Sequence, residues 1–368
     1  MTKRGKKHIK KTKFYSYLLG KLPKGCQLCV KGEKLVLFAT GLCPRCCYYC
    51  SISDKKYGKD VVYANEWPTS NISDIIKEAR LCSSKGAGIT GGDPLCKIDR
   101  TVKYIRALKK EFGKNFHIHL YTSLDLVNEN SLSRLYKAGL DEIRFHVDLD
   151  SNNITKKKIW PRLFVAKHKR RKWAVGIEIP AIPGKENKTK EIIDYFAKHI
   201  DFLNLNELEV ADNKVNKLTK MGFRTKDQLS YAIKGSEELA RKLLVYAARK
   251  HPKLNMHYCT AKLKDKVQLA NRIKLRAKNI AKDYDTITKE GLLIRGAIYG
   301  AIPVIMGILK HHDVPKNLIG IDKKRTRILT SIKVADVLKE ALKNKGAMPA
   351  IVEEYPTYDC FQVDVEFL

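Results

Sequence analysis

Three cysteines at positions 43, 47 and 50 are the residues of this chain best spaced for chemistry. They lie in Cys43-Pro44-Arg45-Cys46-Cys47-Tyr48-Tyr49-Cys50, directly after an apolar run, Leu35–Thr40, that reads as a strand. Thiolates spaced Cys-x3-Cys-x2-Cys can hold three irons of a [4Fe-4S] cube and leave the fourth open to a small-molecule chelate. Structural zinc competes with that reading, but it takes four ligands, typically as two spaced pairs. Cys46 adjoins Cys47 too closely to share its centre and reads as a bystander. A second set, Cys26, Cys29 and the distant Cys259, is a candidate for a further metal. An auxiliary iron–sulfur cluster or a zinc with one outside ligand stands there against free thiols or a disulfide. Ten cysteines, six of them between residues 26 and 50, fit metal or redox chemistry better than a disulfide framework.

The elements that must position these residues alternate. Strands are expected at Leu35–Thr40, Ala87–Thr90, Phe116–Thr122, Glu142–Val147, Trp173–Ile179 and Phe202–Asn206. Helices are expected at Ser70–Ser83, Arg100–Phe112, Asn130–Ala138 and Lys188–His199, with a further short strand at Leu254–Tyr258. Strands separated by helices imply parallel pairing with right-handed crossovers. Within four strands polar and apolar residues alternate. His117, His119 and Tyr121 oppose Ile118 and Leu120; Arg144, His146 and Asp148 oppose Phe145 and Val147; Glu178 opposes Ile177 and Ile179; Asn204 and Asn206 oppose Leu203 and Leu205. Parallel strands covered on both faces usually read as unbroken apolar runs. A polar inner face therefore predicts a curved sheet around a wet cavity. After about Asp283 the pattern loosens. Ala301–Leu309 reads as a buried element, Asn317–Arg327 as loop, Lys333–Asn344 as a helix, and Ala350–Glu354 and Phe361–Phe367 as strands. Three regions result: a basic tail (1–25), a catalytic barrel (26–283) and an α+β accessory region (284–368).

Charge is the second signal. Lys and Arg number 72 against 39 acids, a net charge of +33 in 368 residues. Ion-pair networks would raise both signs together, and the signs here are far from balanced. Residues 1–25 carry nine basic residues and no acid, as does the stretch from Lys156 to Lys172. Residues 2–13 are expected to be disordered until bound. Such fields attract polyanions, nucleic acid first among them, and Tyr48, Tyr49, Trp160 and Trp173 are candidate stacking surfaces beside the charge. No apolar run approaches the roughly 20 residues of a membrane span, and the basic N-terminus lacks a signal peptide's apolar core. A cytoplasmic protein without a membrane partner is expected.

The cysteine motif, followed one strand–helix–strand unit later by Thr90-Gly91-Gly92-Asp93-Pro94, resembles the radical S-adenosylmethionine (SAM) superfamily over roughly residues 30–260. The resemblance implies an α/β fold, a partial (β/α)6 barrel, with Cys43, Cys47 and Cys50 on a [4Fe-4S] cluster and Tyr49 as the motif's aromatic residue. It implies that Gly91, Gly92 and Asp93 grip the methionyl amino group of SAM. Ser123, Arg144, His146 and Asp148 would meet ribose or carboxylate, Val175–Ile179 would lie near the adenine with Glu178 facing inward, and Asn204 is a further cofactor-binding candidate. The chemistry implied is reductive SAM cleavage to a 5'-deoxyadenosyl radical, fed by ferredoxin or flavodoxin. Cys360 is a candidate catalytic thiol, because some RNA methylases of the superfamily use a late cysteine as methyl carrier, and Cys259 is a second candidate. The stretches Cys26–Gly32, Leu35–Cys50 and Glu353–Asp359 are similar to an archaeal group described as related to pyruvate formate-lyase activating enzyme. With +33 charges, modification of a tRNA or rRNA base, of methylation or thiolation type, is the leading expectation. The alternatives are a glycyl-radical-enzyme activase or peptide modifier, and a non-enzymatic iron–sulfur RNA-binding protein.

Overall fold

The structure is a computed structural model that describes residues 8–167 and 171–368. The chain forms two compact units, Met1–Arg80 with Ser84–Leu269, and Leu81–Ser83 with Ala270–Leu368.

The first unit opens with a hairpin, β1 (Ile9–Lys11) and β2 (Tyr17–Leu19), and a short helix, α1 (Lys24–Val30). β3 (Lys34–Phe38) leads through a long loop to the short strands β4 (Tyr63–Ala64) and β5 (Trp67–Pro68). Alternation follows: α2 (Ile72–Leu81), β6 (Gly86–Thr90), α3 (Ile98–Phe112), β7 (His117–Ser123), α4 (Glu129–Ala138) and β8 (Glu142–His146). It continues with α5 (Asn153–Ile159), α6 (Arg162–Ala166), β9 (Ala174–Ala181), α7 (Glu186–Phe196), β10 (Phe202–Glu207), α8 (Ser236–Lys250) and β11 (Asn255–Cys259). The order across the sheet is β1-β2-β11-β10-β9-β8-β7-β6-β3-β4-β5. All neighbours from β11 to β3 are parallel, so the expected strands form the partial barrel and β11 adds a seventh.

The two-faced strands behave as their alternation predicts. Ile118, Leu120, Ile143, Phe145, Ile177, Ile179, Leu203 and Leu205 are fully buried in one apolar layer between sheet and helices. His119, Arg144, Glu178 and Asn204 face the other way, into the lumen. The helices carry their own end signals. Asn128 caps α4 with a reciprocal Asn128–Ser131 capping box, and Gly139 ends it in the left-handed conformation.

The N-terminal segment departs from expectation. Residues 1–7 lie outside the described residues, but Ile9–Lys11 and Tyr17–Leu19 are strands, and β2 pairs antiparallel with β11. Leu19 is fully buried. A Lys-rich composition hid the alternation of Tyr17 and Leu19, which is too short to register as a pattern.

The second unit begins at Ala270, within the region the sequence assigns to the barrel. It holds α9 (Ala270–Ile280), β12 (Thr286–Ile287), β13 (Leu293–Tyr299), α10 (Ile302–His311), β14 (Gly320–Asp322), β15 (Arg327–Thr330), α11 (Ile332–Val337), α12 (Lys339–Lys343), β16 (Met348–Glu354) and β17 (Gln362–Phe367). An antiparallel sheet of order β14-β15-β13-β16-β17 forms its centre. The stretch expected as loop at Asn317–Arg327 therefore carries β14 and the start of β15. Arg327 is fully buried there, held by Asp322 at 2.8 Å and Glu354 at 2.5 Å.

Candidate active site

The loop from Ala39 to Val62 leaves the C-terminal end of β3, where parallel α/β folds present ligands. Backbone bonds clamp its base: Gly41 N–H donates to Lys59 O at 2.8 Å and Gly58 N–H to Gly41 O at 3.0 Å. A Cβ on Gly41 would lie 1.7 Å from Lys56 O, so only glycine fits. Asp60 accepts from Thr40 Oγ1 at 2.9 Å and bidentately from Arg100 at 2.6 and 2.9 Å. Further along, Lys217 N–H donates to Tyr48 O at 2.7 Å and Asn213 Nδ2 to Cys50 O at 3.0 Å.

Within this loop Cys43, Cys47 and Cys50 are half-buried and line one cavity of about 650 Å³. Burial pushes all three thiols up in pKa, Cys43 to about 12. Cys46 is exposed, does not line the cavity, and accepts from Tyr57 Oη at 3.5 Å. Arg45 ties the loop to the barrel top through Asp125 and through His146 O at 2.8 Å.

The Gly-Gly turn after β6 packs against the start of the same loop. Gly92 N–H donates to Thr40 O at 2.8 Å and Asp93 N–H to Leu42 O at 2.7 Å. Cβ atoms on Gly91 and Gly92 would come within 2.3 Å of Thr40 O and Leu42 O. Both glycines line the cavity. Asp93 does not. It is fully buried and accepts from Leu95 N–H (3.0 Å), Thr122 Oγ1 (2.7 Å), Ser123 N–H (3.0 Å) and Ser123 Oγ (2.7 Å). Burial pushes its carboxyl up against the pull of these donors. Asp93 braces the turn to the end of β7.

Deeper in the lumen Arg144 is buried and donates to Glu142 at 2.6 Å, Tyr121 Oη at 3.1 Å, Glu178 at 2.7 Å and Cys26 Sγ at 3.4 Å. Glu178 also accepts from Asn204 at 3.0 Å and Asn206 at 3.1 Å. Burial alone would raise its pKa, but Arg144 and the two amides outweigh it and hold the carboxylate below its ordinary value. His146 is pushed down to about 4, by burial first and Arg45 second. It is therefore neutral at pH 7. Its Nδ1 faces Glu178 O at 3.1 Å, which can only accept, so Nδ1 carries the proton and Nε2 accepts from Tyr49 Oη at 2.9 Å.

Of the residues expected to bind SAM, the cavity brings together Tyr49, Gly91, Gly92, Ser123, Arg144, His146 and Glu178 beside Cys43, Cys47 and Cys50. Asp148 caps the turn after β8, accepting from Asp150 N–H at 2.9 Å and Ser151 Oγ at 3.3 Å. Asn204 is buried behind Glu178. Cys26, Cys29 and Cys259 do not line the cavity; Arg144 donates to Cys26, and Gln268 joins Cys29 to Cys259. Cys360 belongs to the second unit, where it takes a positive φ of 48° and its thiol donates to Thr357 O at 3.3 Å. Lys34, Arg45, Tyr121 and Lys264 line the cavity without having been named as ligand-binding residues from the sequence. Tyr121 continues the face of His117 and His119, and Arg45 lies inside the cysteine motif; Lys264 has no local signal.

The expected stacking surfaces fare differently. Trp160 and Trp173 are 3% and 5% exposed, in the core, where they cannot stack on a base. Residues 168–170 of the basic stretch lie outside the described residues. Elsewhere in that stretch Lys156 pairs with Glu191, Lys167 with Asp201 and Arg171 with Glu129, while Arg162 donates to backbone carbonyls. Among the described residues, no helix is long and apolar enough to cross a membrane.

A lumen-lined partial barrel with three thiols on its first loop and a Gly-Gly turn on its second defines a radical SAM protein. The family model "Radical SAM superfamily" matches residues 37–196, and "Domain of unknown function (DUF8061)" matches residues 291–367. The chain is 43% identical over 356 residues to the protein named "Putative glycyl-radical enzyme activating enzyme MJ0021" of Methanocaldococcus jannaschii, covering 94% of this chain and 92% of that one. The chain belongs to the radical SAM superfamily, whose members use a [4Fe-4S] cluster, SAM and a reductant. Among solved structures it is similar to the radical SAM methyltransferase TsrM from Kitasatospora setae, at TM-score 0.40 and 10% identity, over 71% of this chain and 55% of that one. The chain thus spans about half the length of TsrM. Methylornithine synthase (PylB) matches at TM-score 0.40 and 14% identity, over 64% of this chain and 72% of that one.

The donor set fits the family's cluster. Three half-buried thiols line the same cavity, and burial raises the pKa of each, so a bound cation would be needed to compensate the thiolates.

Proposed function

We propose that Cys43, Cys47 and Cys50 hold the [4Fe-4S] cluster and that SAM binds beside it in the lumen. The observation that carries this is their shared cavity with Gly91, Gly92, Ser123, His146 and Glu178. When bound, the reduced cluster supplies the electron that cleaves the sulfonium C–S bond of SAM and yields the 5'-deoxyadenosyl radical. The protein's residues bind, orient and exclude water. The bare backbone of Gly91 and Gly92 lets the aminoacyl end approach. His146, neutral and fixed by Tyr49, adds no positive charge beside a sulfonium. Glu178 stays ionised and offers that cation a carboxylate, while Arg144 spends its charge on Glu142 and Glu178.

For the substrate, the net charge of +33 favours a polyanion, and modification of an RNA base is the first reading. Activation of a glycyl-radical protein is the second, supported by the name of the 43% identical relative. Anaerobic protein reduced with dithionite should release 5'-deoxyadenosine from SAM; none released refutes the enzymatic reading. Capture from anaerobic extract then separates the substrates. RNA retained at low salt and lost steeply as salt rises supports the first, and one dominant polypeptide supports the second.

A further inference from the structure

Of the charged side chains that line the cavity, all but one are matched. Arg45 is held by Asp125, Arg144 by Glu142 and Glu178, and Lys264 by Glu209, while Glu207 is answered by Lys226. Lys34 lines the same cavity, yet among the described residues it enters no ion pair. The polar group nearest its ammonium is the Cys29 thiol.

Its place follows from the strand. Lys34 opens β3 and Val36 follows on the same face, and both reach the cavity. At about 3.3 Å per residue, Lys34 is rooted roughly 17 Å from the start of the cluster loop, at the deep end of the lumen. Gly88, in register with Val36, adds no side chain there, and a Cβ on it would fall 2.7 Å from His119 Nε2. His119 is fully buried, and neither of its ring nitrogens has a partner. Tyr121 is a second donor beside Lys34. Its oxygen accepts from Arg144 at 3.1 Å, which leaves its own proton without an acceptor among the described residues.

An ammonium in so enclosed a place needs a counter-charge. Glu142 and Glu178 together outnumber Arg144, and that surplus offsets Lys34 at a distance while the lumen holds no cation. A sulfonium beside Glu178 would claim the surplus and leave Lys34 uncompensated. We propose that Lys34 and Tyr121 form an oxyanion site that holds the carboxylate or phosphate of a small organic substrate in the deep half of the lumen. The RNA base and the glycyl residue of the two readings above carry no anionic group of their own. The site therefore calls for a third class of ligand, a small organic acid or phosphoester. It rests on SAM lying in the lumen, and on neither macromolecular reading.

The test is calorimetric titration of inorganic phosphate, and separately of succinate, into anaerobic, cluster-reconstituted full-length protein at physiological salt. One equivalent of either anion should bind per chain above the diffuse surface background. Lys34→Met should weaken that binding about tenfold or more, and Tyr121→Phe should weaken it less. A stronger response to phosphate supports a phosphoester, and a stronger response to succinate a carboxylic acid. Loss of one positive charge from a net of +33 leaves the surface background in place. Equal binding by Lys34→Met, or no equivalent bound by the wild type, overturns the proposal. Removal of an unpaired ammonium should leave the anion-free urea midpoint at or above that of the wild type. A lower midpoint makes Lys34 a structural residue and overturns the proposal too. Anion binding should persist when SAM is present; mutual exclusion would give the seat to the carboxylate of SAM and refute the site. Failure of the SAM reading is seen separately, as absence of 5'-deoxyadenosine from reduced wild-type protein, because the titration itself needs no SAM.

Discussion

Replacing Asp93 with asparagine separates a brace from a ligand. The two carboxylate oxygens accept four hydrogen bonds, two from backbone N–H groups, at a position with no exposed surface. Asparagine offers one oxygen and one NH2. In one orientation the NH2 meets Ser123 N–H; in the other it meets Leu95 N–H. Hydroxyls can turn to accept, but a backbone N–H cannot, so either rotamer sets donor against donor. A hydrogen bond to a charged group contributes about 1.5–3 kcal/mol, and a buried unsatisfied donor costs about 1–3 kcal/mol. Asp93→Asn should therefore destabilise the SAM-free protein by about 3 kcal/mol, measured by urea unfolding under anaerobic conditions. SAM affinity should fall as the Gly91-Gly92 turn loosens. If Asp93 acted only as a ligand, the SAM-free protein would keep its stability while SAM binding weakened. Unchanged urea midpoints would refute the brace.

Within the cysteine motif, Cys47→Ala should lose the cluster's visible absorbance and iron content, whereas Cys46→Ala should keep both, because Cys46 faces Tyr57 and solvent. Burial holds His119 well below the ordinary imidazole pKa, so it is unprotonated when folded and gains a proton on unfolding below pH about 6.5. Stability should thus fall with pH in that range, by up to about 1.4 kcal/mol per unit from this residue, and His119→Phe should flatten the slope in thermal melts between pH 6.5 and 5. Gly25→Ala should cost about 1–3 kcal/mol by overpacking against His119 and Arg144, seen as a lower urea midpoint.

The parallel strands were legible because each is a run in which polar and apolar residues alternate and helix periodicity follows. Their polar face announced the lumen. The cluster loop was legible from three residues, since ligand spacing is local. What stayed hidden depends on distance in sequence. Lys264 and Lys34 meet in one cavity from opposite ends of the barrel. α1 is seven residues long and includes a glycine, too little for a period to show. Trp160 and Trp173 looked like surface aromatics because lysines flank them, but Trp173 Nε1 donates to Ala166 O at 2.8 Å inside the core. The carboxylate of Asp93 carries the right charge in the right motif, yet its direction is set by Thr122 and Ser123, which no spacing rule couples to it.

The strand at Tyr17–Leu19 is synthesised before every parallel strand of the barrel, but it pairs with β11, the last strand the barrel receives, as in the register Leu19↔Met256. On the ribosome that early segment must wait, with its lysines, until nearly the whole barrel has emerged. Closing so long a loop is slow, and until it closes β11 presents an open edge. A nascent chain stalled short of residue 255 would leave β2 unpaired, which ties the final seal of the barrel to the emergence of β11.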